Sequence, residues 1–133
     1  MPGFASLDRG IQILVVDDFA AMRKVVKTCL KQLGFDNIVE AEDGAKALEK
    51  LQAGDYKLVI SDWNMPNMMG LDLLKAVRSD AKLAKVPFVM VTAEAQKENV
   101  LEAAKAGVSN YIVKPFSADQ LKSKLEAVFA GVP

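Results

Sequence analysis

The stretch "KLVISDWNMPNMMG", residues 57–70, decides the fold. Leu58 to Ser61 read as a buried strand, an apolar run bounded by polar residues. The run meets a carboxylate at Asp62, then Trp63, then a loop holding Met65, Pro66, Met68 and Met69. An acid at the end of an apolar strand is either a reactive group or a cap for the next helix. The rest of the chain bears on which.

Working outward, strand-like and helix-like segments alternate. Strands are expected at residues 11–16, 37–41, 57–61, 87–91 and 110–114. Helices are expected at 20–34, 45–54, 71–80, 97–107 and 118–130. In the first helix Met22, Val25, Val26, Cys29, Leu30 and Leu33 follow the spacing of one helix face, with Gly34 at the C-cap. Ala47, Leu48 and Leu51 are the inward set of the second helix, and Leu121, Leu125 and Val128 that of the last. The first, third and fourth strands are nearly continuous apolar runs, as a sheet covered on both faces requires. Five β–α units in alternation imply a doubly wound parallel α/β sheet with right-handed crossovers. The common strand order for such a chain is 2-1-3-4-5. One domain is expected over residues 9–133, preceded by a flexible leader at 1–8.

Composition narrows the function. Lys plus Arg balance Asp plus Glu at 17 each, so no cationic surplus exists to neutralise nucleic-acid phosphates. No apolar run approaches the length of a membrane span, and residues 1–10 do not read as a signal peptide. The single cysteine, Cys29, forms no intramolecular disulfide and fits a reducing, cytoplasmic setting. Histidine is absent, which removes His-based zinc sites and His-dependent nucleophilic triads. Chemistry must come from carboxylates, hydroxyls and lysines.

Those groups sit at the strand ends: Asp17 and Asp18 after the first strand, Asp62 after the third, Thr92 after the fourth, Lys114 after the fifth. Sites in open α/β sheets form beyond the carboxyl ends of strands, where the winding reverses. The order 2-1-3-4-5 brings Asp17, Asp18 and Asp62 together there. Two carboxylates at ~4 Å repel by roughly 4 kcal/mol at an effective dielectric of ~20. A hard divalent cation with oxygen ligands offsets this, and Mg²⁺ is the one suited to phosphate chemistry. A carboxylate beside Mg²⁺, a lysine and a hydroxyl is arranged to accept a phosphoryl group itself. Each residue alone has a plainer reading. Asp17 and Asp18 could be N-caps, Asp62 an Asx-turn residue, Thr92 a cap of the fourth helix. Lys114 could be a solvated lysine, and Tyr111 half-buried core. Their coincidence at four strand ends favours one site, since capping does not call for a lysine.

"LVVDD", "VISDWNMPNM", "VTAE" and "YIVKPF" resemble the motifs of response-regulator receiver domains over nearly the whole chain. "VDDFAAMRKVV", "EAEDGAKALEKLQAG" and "VMVTAEAQKENV" are similar to the CheY-like chemotaxis branch. That branch is itself a known example of the flavodoxin-like order 2-1-3-4-5, so the order is not independent of the resemblance. The resemblance implies that Asp62 accepts a phosphoryl group from a histidine kinase. It implies Mg²⁺ ligation by Asp18, Asp62 and the backbone carbonyl of Asn64, with Asp17 acting through water. Lys114 and Thr92 would contact the phosphoryl group, and Thr92 with Tyr111 would form a two-state switch. Asn64 and Glu94 match positions that tune phosphoryl lifetime, and the Lys114–Pro115 bond would be cis. Ala95, Lys97, Val100, Ala104, Tyr111, Val113, Phe116 and Lys124 match a partner-facing surface. The implied partners are the chemotaxis kinase CheA and the flagellar switch protein FliM, with a phosphatase as a further candidate. The protein would act as a monomer and turn over no separate substrate. The alternative within the family is a phosphate sink or a regulator of a non-flagellar target.

One position departs from the pattern. The family usually reads "MPxMDG", and Met69 stands here in place of that aspartate. A lost helix cap costs about 1 kcal/mol. Two expectations follow: a looser loop over 65–70, with Asn67 as a substitute cap, or an apolar partner contact at Met68 and Met69. Other classes fit less well. A haloacid-dehalogenase-type phosphatase needs D-x-D after the first strand, where this chain has "DDF". A flavodoxin-like FMN carrier needs a Ser/Thr/Gly-rich phosphate loop there, which "DDFAAMR" is not.

Overall fold

The computed structural model describes residues 7–93 and 97–130. In chain order the elements are β1 (Ile13–Val16), α1 (Ala20–Gln32), β2 (Ile38–Ala41), α2 (Gly44–Ala53) and β3 (Leu58–Asp62). They continue with α3 (Gly70–Ser79), β4 (Phe88–Thr92), α4 (Lys97–Lys105), β5 (Asn110–Val113) and α5 (Ala118–Phe129). The strands form one parallel sheet in the order β2-β1-β3-β4-β5, the flavodoxin-like arrangement expected. In register, Val16 faces Ser61, Asp62 faces Val91 and Thr92 faces Val113. The polar strand ends therefore share one rim.

Side-chain alternation along the strands builds two cores. Ile13 and Val15 of β1 join Val26, Leu30, Leu121 and Phe129 beneath α1 and α5. Leu14 and Val16 join Ala47, Leu51, Leu73, Leu74 and Ala103 beneath α2, α3 and α4. Both faces of the sheet are covered, which explains why β1, β3 and β4 are buried at every position.

Several boundaries and faces differ from the expected ones. β3 extends through Asp62, so this carboxylate is carried by the sheet itself. α4 stops at Lys105, two residues early. Val25, expected inward, is 45% exposed, because Val26, Cys29 and Leu30 fill the α1 contact and Val25 lies about 100° round the helix from Val26. On α5 Phe129 enters the core and Val128 is only half-buried. Gly34 does follow α1, at a φ of 99° that favours glycine, with Phe35 N–H donating to the Leu30 carbonyl. The Lys114–Pro115 bond is cis. Leu7 packs against the α1/α5 core, and Arg9 lies over the Phe35 ring and donates to the Leu33 carbonyl. Among the described residues no helix is long and apolar enough to cross a membrane.

The opposite rim, at the N-terminal ends of the strands, is tied by Arg78 of α3. Its guanidinium donates to the carbonyls of Gly107 (2.8 Å), Val86 (2.6 Å) and Ala84 (3.3 Å), and to Ser109 Oγ (3.4 Å).

Candidate functional site

Asp17 follows β1 directly. Its N–H donates to the Ala41 carbonyl of β2, and its Oδ1 accepts from the Phe19 N–H at 2.9 Å. Neither Asp17 nor Asp18 caps α1, whose N-cap is Phe19 with no side-chain bond. The capping explanation for the acid pair therefore fails. Asp17 is buried and Asp18 exposed. Asp62, 8% exposed, presents its carboxylate to the same rim. Carboxylate oxygens of Asp17, Asp18 and Asp62 lie within 4.8 Å of one another. Lys114 Nζ reaches Asp62 Oδ1 at 3.0 Å and Asp17 Oδ2 at 3.6 Å. Lys114 is thus an ion-paired member of the cluster and not a solvated lysine.

One ammonium does not balance three carboxylates. Burial pushes the Asp17 carboxyl above its ordinary range. The Asp62 and Asp18 charges add to that push, while the Phe19 N–H and Lys114 oppose it. The donor set is all oxygen, in a chain without histidine, and one of the three acids opens to water. These residues fit a hard divalent cation that keeps part of its water shell, as Mg²⁺ does. They do not fit zinc or copper, which favour nitrogen and sulfur ligands.

The backbone behind Asp62 is packed against the start of α3. A Cβ placed on Gly70 would stand 2.2 Å from the Asp62 carbonyl oxygen and 3.0 Å from Met90 Sδ, so no larger residue fits without displacing β3. Gly70 N–H also donates to the Trp63 carbonyl at 2.9 Å. Met69 is the N-cap of α3 and makes no side-chain cap bond, as its departure from the family pattern implies. Asn67 does not replace it. Its φ of 66° is left-handed, and its Nδ2 donates to Asp43 Oδ2 at 3.0 Å. Asp43 caps α2 through the Lys46 N–H, so Asn67 ties the loop to α2 and leaves α3 uncapped. The methionines divide. Met68 is half-buried against the core and Met69 is 37% exposed.

Thr92 is buried at the end of β4. With Trp63, Met90, Val100, Ala103 and half-buried Tyr111 it lines a cavity of about 10 Å³. Lys124 Nζ lies 4.9 Å from the Tyr111 ring centroid. Tyr111, Val113 and Lys124 border an open concavity of about 340 Å³. Val113 and Ala104 are exposed, whereas Phe116 is half-buried against the α1/α5 core. Asn64, two residues beyond Asp62, is exposed. Glu94 and Ala95 lie outside the described residues, as does the side chain of Lys97.

Sequence reasoning missed two contributors. Arg23 of α1 donates to the Asp17 carbonyl at 2.6 Å and to Glu40 Oε1 at 3.0 Å. Gly70 supports Asp62 by close approach. Main-chain partners leave no residue-type signal.

Comparison with known proteins agrees with this geometry. The model of the response regulator receiver domain family matches residues 13–126. The chain is 53% identical over 125 residues to chemotaxis protein CheY-3 of Vibrio cholerae, covering 94% of this chain and 96% of that one. It is 51% identical over 122 residues to chemotaxis protein CheY of Pseudomonas aeruginosa, covering 92% and 98%. The solved structure of Vibrio cholerae CheY4 superposes with a TM-score of 0.84 at 34% identity, covering 90% of this chain and 99% of that one. With its parallel sheet, its acid rim and these relatives, the chain belongs to the response regulator receiver domain family.

Proposed function

We propose that this chain is a phosphorylation-switched chemotaxis regulator whose acceptor is Asp62. The observation that carries the reading is the Asp62–Lys114 pair at 3.0 Å inside a group of three acids on one sheet rim. Asp17, Asp18 and Asp62 would hold Mg²⁺, with the Asn64 backbone carbonyl as a further ligand. When bound, the cation offsets charge on the phosphoryl oxygens and on the acids. An Asp62 carboxylate oxygen forms the bond to phosphorus while the bond from phosphorus to the donor histidine nitrogen breaks. The donor leaves as neutral imidazole after taking up a proton. Lys114 and the Thr92 hydroxyl bind the phosphoryl oxygens, and Asn64 and Glu94 set how readily water later attacks phosphorus and returns Asp62. The chain thus turns over only its own phosphoryl group.

Drawing Thr92 toward the phosphoryl group shifts the equilibrium of Tyr111 next to it, a local charge event biasing a two-state element. The readout surface comprises Ala95, Lys97, Val100, Ala104, Tyr111, Val113, Phe116 and Lys124. Its partners are a CheA-type kinase, a FliM-type motor switch protein and a phosphatase, and the chain acts as a cytoplasmic monomer. The names of the curated relatives support the chemotaxis assignment.

Trp63, buried beside Asp62, reports the test. Mg²⁺ and then a small acyl phosphate are expected to change its fluorescence in succession. Asp62→Asn is expected to abolish the second change completely. A wild-type protein silent to both additions overturns the reading.

A further inference from the structure

The corner joining β1 to α1 carries two of the three acids, yet α1 begins without a side-chain cap. Besides the Asp17 N–H to Ala41 and Phe19 N–H to Asp17 Oδ1 bonds, the corner is tied by Arg23, one turn into the helix. Its Nη1 donates to the Asp17 carbonyl at 2.6 Å, and its Nε donates to Glu40 Oε1 at 3.0 Å. Lys27 Nζ holds the other Glu40 oxygen at 3.2 Å. Glu40 lies on β2, paired in register with Val15 of β1. The link therefore runs from the sheet through Glu40 and Arg23 to the peptide plane joining Asp17 and Asp18. Because that plane is rigid, fixing its carbonyl fixes the start of both acid residues.

We propose that Arg23, braced by Glu40, is a positioning residue that holds the Asp17–Asp18 corner in the geometry that takes a divalent cation. The inference rests on the metal reading above and adds a residue to it. Arg23 touches neither cation nor phosphoryl group. It acts through the main chain, as outer partners orient metal ligands elsewhere. Its charge works the other way. A guanidinium beside an acid cluster repels a cation, so removing it should tighten Mg²⁺ binding if charge were its only influence. Positioning and charge thus predict opposite signs.

The experiment is Mg²⁺ titration of Trp63 fluorescence in the whole chain, with urea midpoints checking that each variant is folded. Arg23→Ala is expected to weaken Mg²⁺ binding by about 10-fold, the lower end for lost outer partners. Arg23→Lys keeps the charge but cannot span both acceptors in the same way, and it should also weaken binding. Lys27→Ala removes the other Glu40 partner and leaves the Asp17 contact, so it should stay within about 2-fold of wild type. Equal or tighter binding in Arg23→Lys overturns the proposal, as does a Lys27→Ala loss equal to that of the Arg23 variants. If Arg23→Ala does not fold, the Arg23→Lys comparison decides alone. A wild type without any Mg²⁺ response overturns the metal reading and this inference with it. A responding wild type with unaffected Arg23 variants overturns the inference only.

Discussion

The two rims of the sheet treat charge in opposite ways. At the N-terminal rim one cation, Arg78, faces three carbonyls and a hydroxyl that all accept from it. At the C-terminal rim three carboxylates share one lysine, which reaches Asp62 at 3.0 Å and Asp17 at 3.6 Å. The first rim is closed, its donors matched to neutral acceptors. The second carries an excess of negative charge that an added cation would offset. Neutral polar partners are matched at one end, and the charged groups are gathered at the other.

The strongest test of this contrast is at Gly70. Gly70→Ala pushes a Cβ into the Asp62 carbonyl, a backbone atom that cannot swing away. A loss of about 3 kcal/mol or more is expected in urea unfolding, together with a fall in phosphoryl acceptance. Arg78→Ala should cost about 2–3 kcal/mol by leaving carbonyls unpartnered, with unchanged Mg²⁺ affinity. A Mg²⁺ effect there would break the separation of the two rims.

Asp17→Asn should do the reverse, stabilising the metal-free fold by about 0.5–2 kcal/mol while weakening Mg²⁺ binding. The sign with pH follows from burial, which raises the Asp17 pKa. The folded state then holds a proton that the unfolded chain has released. Metal-free stability from this group rises as pH falls through the raised folded value, and levels off below the ordinary value near 3.8. Glu40 runs oppositely. Its burial is outweighed by bonds from Lys27 and Arg23, so its pKa is lowered and its contribution is lost as pH falls through that lowered value. Urea midpoints of wild type and Asp17→Asn across the acid range separate the two. The smallest effect is expected for Met69→Asp, which restores a side-chain cap to α3. It should add about 0.5–1 kcal/mol and slow amide exchange over residues 68–73.

Much of this was legible in the residues. Apolar runs ending in Asp17, Asp62, Thr92 and Lys114 gave both the sheet and its rim, because a doubly covered strand has to be apolar until it leaves the core. Alternation of strand and helix implied a parallel α/β sheet, while the order 2-1-3-4-5 was the common one for such a chain and also came with the resemblance. What stayed illegible depends on main-chain atoms or on a helix's exact rotation. Arg23 reads as any surface cation until its carbonyl partner is located. Val25 looks inward by spacing alone, yet the sheet has room for only its neighbours. Asn67 looked like a spare cap, and its left-handed backbone turned the side chain toward Asp43 instead.

The pairing of β1 with β3 has a kinetic consequence. Asp17 and Asp62 are far apart in the chain and meet only when these two strands align. Loop closure is already slow for parallel strands, and here it also compresses like charges. Carboxylate repulsion therefore opposes the step that closes the centre of the sheet. Cations that screen those acids are expected to speed refolding as well as raise equilibrium stability, which refolding rates with and without Mg²⁺ would check.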